Sequence, residues 1–416
     1  MSTPSASGRR TAIKLGLAAA ATALAPRRAR AQNPKEVKIA LVVPLSGPWA
    51  RQGILEQMGA ELAIEDVNKS GGVKALGGAK LKLVLYDTGD TAEKAKNAAQ
   101  RLVAQEPDVV GGIGSWLSSF TLAVTEVTER AELPWLTLSY SDLITGRGFK
   151  YIFQTSPTAE TQATALLPRI VDLATKSGGA KPTKVAFVGD NSASSVSFMK
   201  AIRGGVAKDL GLTIVADEVF TPPLADATTL VQKIRSGRPD FIVMQSTNVG
   251  DDKLLLDKFA ERGITASTVP LVGGGGHWTV PELMKVAGKE HLEGLIVGLA
   301  NWPGKDLGDL EKRFVAKTSE PWFGHDSIFP YAHVMIFKEA LERTASTDRK
   351  KLGEMMHQID LKDGPAKLFP DGRVKYDENG RRVGAELCIM QWQKGRPVAV
   401  HPESIAVSKA VWPKLS

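Results

Sequence analysis

From Val37 onward, short runs of apolar and β-branched residues alternate with longer amphipathic stretches. Strands are expected over Val37–Val43, Leu81–Tyr86, Asp108–Gly112 and Pro134–Leu138. Helices are expected between them, over about Gln52–Asn68, Ala92–Gln105 and Ser118–Ala131. Glu132-Leu133-Pro134 ends the last of these, because proline cannot continue a helix. A second set follows, with strands at Thr183–Gly189, Thr213–Val219, Asp240–Gln245 and Val269–Gly273. Its helices are placed near Ser195–Leu210, Thr229–Arg235 and Asp251–Arg262. Strands apolar on both faces and separated by helices belong in parallel sheets covered on each side. The pattern therefore predicts an α/β chain with two sequential doubly wound sheets. After Gly294–Val297 come helices near Leu307–Lys317, Phe329–Arg343 and Asp348–Gln358. Arg373–Tyr376 and Ala385–Gln393, around the turn tetrad Asp377–Gly380, read as an antiparallel hairpin.

Charge changes the picture at one end only. The chain has 416 residues, 53 Lys plus Arg and 45 Asp plus Glu, for a net charge of +8. Six of the basic residues (Arg9, Arg10, Lys14, Arg27, Arg28, Arg30) lie within residues 1–31, which hold no acid. Setting them aside leaves 47 basic against 45 acidic residues, so no nucleic-acid partner is indicated. The same segment has a basic start, an uncharged run from Leu15 to Ala25 and a small-residue stretch, Ala29-Arg30-Ala31. That is the layout of a cleavable export signal, too short to span a bilayer. Arg9-Arg10 resembles a twin-arginine signal, with Ala12 where an aromatic is usual. The expected location is the periplasm, after cleavage near Ala31. The single cysteine, Cys388, excludes an internal disulfide and a cysteine-ligated metal centre.

Enzyme chemistry finds little footing. Gly112-Ile113-Gly114 begins like a dinucleotide fingerprint, but Leu117 occupies the third glycine position and no ribose-binding acid follows. Gly273–Gly276 lacks the Gly-Lys-Ser/Thr of a phosphate loop, and neither G-x-S-x-G nor H-E-x-x-H occurs. The histidines have no metal-ligand spacing. No cofactor and no metal are expected. What recurs instead is a hydroxyl- and amide-rich loop after each strand, where open α/β sheets bind ligands. In the first half these loops carry Trp49, Gln52, Ser118, Ser119, Ser139, Tyr140 and Ser141. In the second half they carry Asn191, Ser194, Asn248, His277 and Trp278. Serines such as Ser118 and Ser119 are suited either to cap a helix or to present a carboxylate with hydroxyl and N–H donors. The aromatics Trp49, Tyr140 and Trp278 are suited either to core packing or to apolar walls for a ligand.

Lys38–Pro48, Glu65–Val73, Tyr86–Thr91, Glu132–Leu136, Gly148–Thr155 and Val374–Gly380, taken in order, resemble the branched-chain amino-acid-binding family of periplasmic proteins. These are the type I solute receptors of ABC transporters. The resemblance implies two lobes joined by three hinge crossovers, with a ligand cleft between them. The lobes would comprise residues 35–155 with about 298–364, and 156–297 with about 365–400, leaving 401–416 as a tail. It implies a monomer that binds a small amino acid, amide or carboxylate and delivers it to an inner-membrane permease. An extracytoplasmic sensor of the same fold and a secreted α/β enzyme are the alternatives. In the family's amino-acid binders, the ligand carboxylate meets the positions of Ser118, Tyr140 and Ser141. An aromatic in the first loop and residues near Asn191–Ser194 and Asn248 complete that site. Two features depart from the family: the first-lobe disulfide is absent, and Gly273–Gly276 stands where a carboxylate usually holds the ligand's ammonium. Either Asp142 or Asp190 substitutes, or the ligand has no α-ammonium. Arg51 is left to pair with a ligand acid or to face solvent.

Overall fold

In a computed structural model, residues 1–2, 34–177 and 180–412 are described. The export-signal reading falls outside them. The chain begins with β1 (Glu36–Val43), α1 (Ala50–Lys69), β2 (Lys80–Asp87), α2 (Ala92–Gln105), β3 (Val109–Gly114) and α3 (Ser118–Arg130). β4 (Trp135–Thr137) and β5 (Ile152–Gln154) complete a parallel sheet of order β2-β1-β3-β4-β5.

The second unit opens with α4 (Ala159–Lys176), β6 (Lys184–Asp190), α5 (Ala193–Ala201), α6 (Ala207–Asp209) and β7 (Thr213–Phe220). It continues through α7 (Thr228–Gly237), β8 (Phe241–Gln245), α8 (Val249–Glu261), β9 (Leu271–Gly274), α9 (Pro281–Ala287), α10 (Lys289–Leu292) and β10 (Ile296–Leu299). The chain then adds α11 (Gly308–Thr318), α12 (His325–Thr344), α13 (Arg349–Gln358) and the short antiparallel pair β11 (Asp360–Leu361) and β12 (Val374–Lys375). It ends on β13 (Cys388–Gln393) and β14 (Arg396–His401), which extend the second sheet to order β14-β13-β10-β9-β8-β6-β7.

Side-chain alternation explains how the second sheet is covered. Val185, Phe187, Phe241 and Val243 face one core with α4 and α5, while Ala186, Val188, Ile242 and Met244 face another with α7 and α8. The first sheet shares a single core with α1, α2, α3 and α12. The chain passes between units after Gln154, after Leu299 and after Tyr376, which gives two doubly wound lobes and three crossovers.

Several local expectations change. The hairpin between 373–376 and 385–393 does not form. Val374–Lys375 pairs with Asp360–Leu361, and Cys388–Gln393 pairs with both Arg396–His401 and Ile296–Leu299. The tetrad Asp377–Gly380 is a small turn closed by a Tyr376–Arg382 bridge. Helix α4 has no counterpart in the periodicity reading. Helix α12 starts at His325, a turn before the expected Phe329, and carries Pro330 inside it. The boundary near 364 and the tail at 401–416 also meet the packing: Ala366, Phe369, Val374 and Tyr376 lie in the first core, and Ile405 and Trp412 in the second lobe. The glycine run of β3 is a packing device. A Cβ at Gly111 would stand 2.2 Å from the Phe337 ring, and one at Gly112 would stand 2.1 Å from Trp135. Among the described residues no helix is long and apolar enough to cross a membrane.

Candidate ligand cleft between the lobes

The C-terminal ends of both sheets face each other, and the lobes are in contact across them. Trp49 Nε1 donates to Thr247 Oγ1 at 3.3 Å, Ser119 Oγ accepts from the Ala193 N–H at 3.2 Å, and Ser141 Oγ meets Ser197 Oγ at 2.9 Å. Between these contacts lies a small cavity. Ser118, Ser139, Tyr140, Ser194 and His277, all expected from the strand-end loops, line it. Trp116, Gln162, Gln245, Thr247 and His325 line it as well.

Each first-lobe group is aimed by local backbone. Ser115 and Trp116 sit at φ 73° and 40°, a left-handed pair that costs L-residues roughly 1–2 kcal/mol each. That turn carries the Trp116 indole to Asp326 Oδ1, at 3.0 Å. Helix α3 then starts without a side-chain cap, so Ser118 is no N-cap. Its Oγ instead accepts the N–H groups of Tyr140 and Ser141, both at 3.1 Å. With its oxygen taken by those two N–H groups, the Ser118 hydroxyl has its hydrogen left to donate at the foot of a helix N-terminus, a position suited to an anion. Ser139 Oγ bonds Thr121 and the Trp116 carbonyl, which fixes the wall behind them.

The remaining expected residues fall elsewhere. Gln52 is buried on α1 with neither amide atom partnered. Asn191 is exposed and donates to Thr221 Oγ1. Asn248 caps α8, its Oδ1 accepting from Asp251 N at 2.9 Å. Trp278 is wholly buried beneath Gly273, whose Cβ would lie 2.5 Å from the indole. Trp49, Ser119 and Ser141 act as contacts between the walls and do not line the cavity.

No Asp, Glu, Lys or Arg lines the cavity. The two substitutes considered for the missing carboxylate are otherwise engaged. Asp190 accepts from Ser192 N, Ser195 Oγ and Thr247 Oγ1, and Asp142 accepts from Glu160 N outside the cavity. Arg51 pairs with Glu320 at 2.6 Å, neither solvated nor directed at a ligand. The glycine loop is bare because its neighbours fill the space: a Cβ would meet Gln245 Nε2 at 2.1 Å from Gly274 and His325 Cδ2 at 2.2 Å from Gly276.

Two buried histidines are shifted in opposite directions. Burial pushes the His325 imidazole down to about 3. It is neutral, with Nδ1–H donating to the Asn301 carbonyl and Nε2 accepting from Tyr140 OH at 3.0 Å. For His277 burial also acts downward, but the Asp252 carboxylate 3.5 Å away wins and raises it above its usual value. His325 escaped the sequence reading because it lies on the far side of the second crossover. Thr247 was passed over for Asn248, although Asn-x-x-Asp is the spacing of a helix cap.

The cleft geometry has parallels. Leu/Ile/Val-binding protein homolog 8 of Brucella melitensis biotype 1 is 28% identical over 388 residues, which cover 90% of this chain and 92% of that protein. Among solved structures, the branched-chain amino acid transporter substrate binding protein LivJ of Streptococcus pneumoniae, in complex with isoleucine, matches with a TM-score of 0.74. It is 20% identical and covers 88% of this chain and 100% of its own. A solute binding protein of an ABC transporter from Rhodopseudomonas palustris, in complex with 3,4-dihydroxy benzoic acid, matches with a TM-score of 0.71. It is 21% identical and covers 86% and 93% respectively. Residues 36–397, spanning both lobes and all three crossovers, match the family model described as periplasmic binding protein. With two doubly wound lobes closed over a cleft, the chain belongs to the periplasmic binding protein family, a family of solute receptors.

Proposed function

We propose that this periplasmic receptor captures a small carboxylate ligand, amino acids included, between its lobes and delivers it to the inner-membrane permease of an ABC importer. In this reading residues 1–31 direct export through a twin-arginine-like signal and are removed after about Ala31. The mature receptor works as a monomer. One observation supports the ligand class: the Ser118 hydroxyl stands beside the cavity at the start of α3, its oxygen taken by the N–H groups of Tyr140 and Ser141 and its hydrogen left to donate. A carboxylate accepts from such a donor at a helix N-terminus, whereas a plain amide brings no anion to it. Isoleucine and 3,4-dihydroxy benzoic acid, the ligands of the two solved neighbours, share a carboxylate and little else. Closure is a hinge motion, driven by the ligand's greater affinity for the closed state.

The test is a thermal-shift screen of amino acids, their amides, and aliphatic and aromatic acids. Carboxylates should raise the melting temperature by several degrees at saturation. Ser118→Ala should lower their affinity roughly tenfold or more, the usual effect of removing one charge-assisted partner. Stabilisation by amides alone, or unchanged affinity in the variant, would sink the proposal.

A further inference from the structure

The cleft does not stop at His325. Beyond its ring lies a second, smaller void with room for about one water-sized group, bounded by Leu55, Trp322 and Asp326 of the first lobe and by Thr279–Pro281 of the second. Most polar atoms on its wall are satisfied. Thr279 Oγ1 donates to the Gly276 carbonyl, the Thr279 carbonyl accepts from Trp322 Nε1, and Ser327 Oγ donates to the Leu55 carbonyl. Asp326 is the exception: Oδ1 receives the Trp116 indole, while Oδ2 is buried with no partner. Near it on α1, Glu56 is wholly buried and neither of its oxygens is partnered. Gln52, one turn earlier on the same helix face, is in the same condition.

Buried carboxyls without donors are costly, and proteins rarely leave them so. The nearby cations are committed, Arg51 to Glu320 and His277 to Asp252. The closed cleft therefore holds more carboxyl groups than it has charges to match them. We infer that the void around Asp326 is a subsite for a protonated amine of the ligand whose carboxylate lies at Ser118, with Asp326 as its counter-ion and Glu56 behind. This rests on the carboxylate reading above. Asp326 lies behind the bare loop, its Oδ1 3.0 Å from where a Gly276 Cβ would stand, and it does not line the main cavity. The ligand is thus a zwitterion whose charges are farther apart than in an α-amino acid.

Burial holds Asp326 at about 6 and Glu56 well above the usual carboxylate range. The groups facing Asp326 are Trp116 from the loop after β3, Arg51 and Glu56 from α1, His277 from the second lobe and His325 on its own helix. An ammonium requires the ionised acid, so its contribution grows as pH rises through about 6.

The test is titration calorimetry with two matched chain-length series, straight monocarboxylic acids and ω-amino acids, on the wild type, Asp326→Asn and Ser118→Ala. At neutral pH one ω-amino acid should bind roughly thirtyfold or more tighter than the plain acid of equal length, the loss expected when a buried charge loses its partner. D326N should erase that margin, so that the ω-amino acid binds no tighter than the plain acid of equal length. In the wild type alone the margin should shrink below pH about 6, which serves as the test if D326N fails to fold. A margin absent at every length, one that survives D326N, or one indifferent to pH overturns the subsite. Ser118→Ala should weaken both series equally. If plain acids do not bind, the carboxylate reading fails; if they bind and amines gain nothing, only the amine subsite fails.

Discussion

Gly276→Ala offers a direct test of closure. Gly276 belongs to the second lobe's loop and His325 to the first lobe's α12, so their contact exists only when the lobes meet. A Cβ at Gly276 would lie 2.2 Å from His325 Cδ2 and 2.7 Å from Cγ, against roughly 3.5–4.0 Å for carbon atoms at rest. The ring cannot easily retreat. Its nitrogens are held by Tyr140 OH and the Asn301 carbonyl, and it packs edge-on against Phe329 with centroids 5.0 Å apart. Giving up both hydrogen bonds costs about 1–3 kcal/mol, the same range as overpacking a core by one methyl. That penalty falls on the closed state alone and lowers affinity by roughly five- to 150-fold. Small-angle scattering of the ligand-free variant should show a larger radius of gyration, and urea unfolding of each lobe should be little changed. A cycle with His325→Ala isolates the ring's share, because without the ring the alanine at 276 meets only Asp326 Oδ1, at 3.0 Å. If G276A weakens binding by the same factor in the H325A background, the wedge argument is wrong.

Two other outcomes follow from the hinge. His333 is fully buried against Thr155 Oγ1, and burial holds its imidazole at about 3 against an ordinary 6.5. Between those values the unfolded chain takes up a proton and the folded chain does not, so stability drops by about 1.4 kcal/mol for each unit the pH is lowered. His333→Gln should remove that share of the slope in urea melts run at a series of pH values; an unchanged slope would show that the histidine is not buried neutral. Arg382 has a fully buried side chain that meets both Asp371 oxygens at 2.6 and 2.7 Å and donates to the Thr155 carbonyl at 2.7 Å. Arg382→Ala should cost about 3–5 kcal/mol in chemical denaturation, since it strands a buried carboxylate. A loss under about 1 kcal/mol would mean that the pair behaves as an exposed one.

What the sequence disclosed depended on the range of the interaction. The succession of β1 to β4 and of β6 to β9 along the chain was legible because these strands are apolar or β-branched runs set apart by amphipathic helices. The foot of α3 was legible for the same reason, since a strand-end loop leads straight into a helix. β13 was misassigned because its partners, β10 and β14, are set by a return crossover, while the tetrad Asp377–Gly380 offered a stronger local turn. Asp326 was not legible at all: nothing local to the start of α12 says that it will stand beside a glycine loop of the opposite lobe.

The contacts that join the cleft walls, Trp49 to Thr247, Ser119 to Ala193 and Ser141 to Ser197, are all between uncharged groups. Water replaces such partners at little net cost, about 0.5–1.5 kcal/mol each, and salt does not screen them. These three contacts therefore open and shut without moving charge. The ionic strength of the surroundings bears instead on the ligand's own charges and on the charged groups that meet across the lobes, such as Arg396 with Glu311.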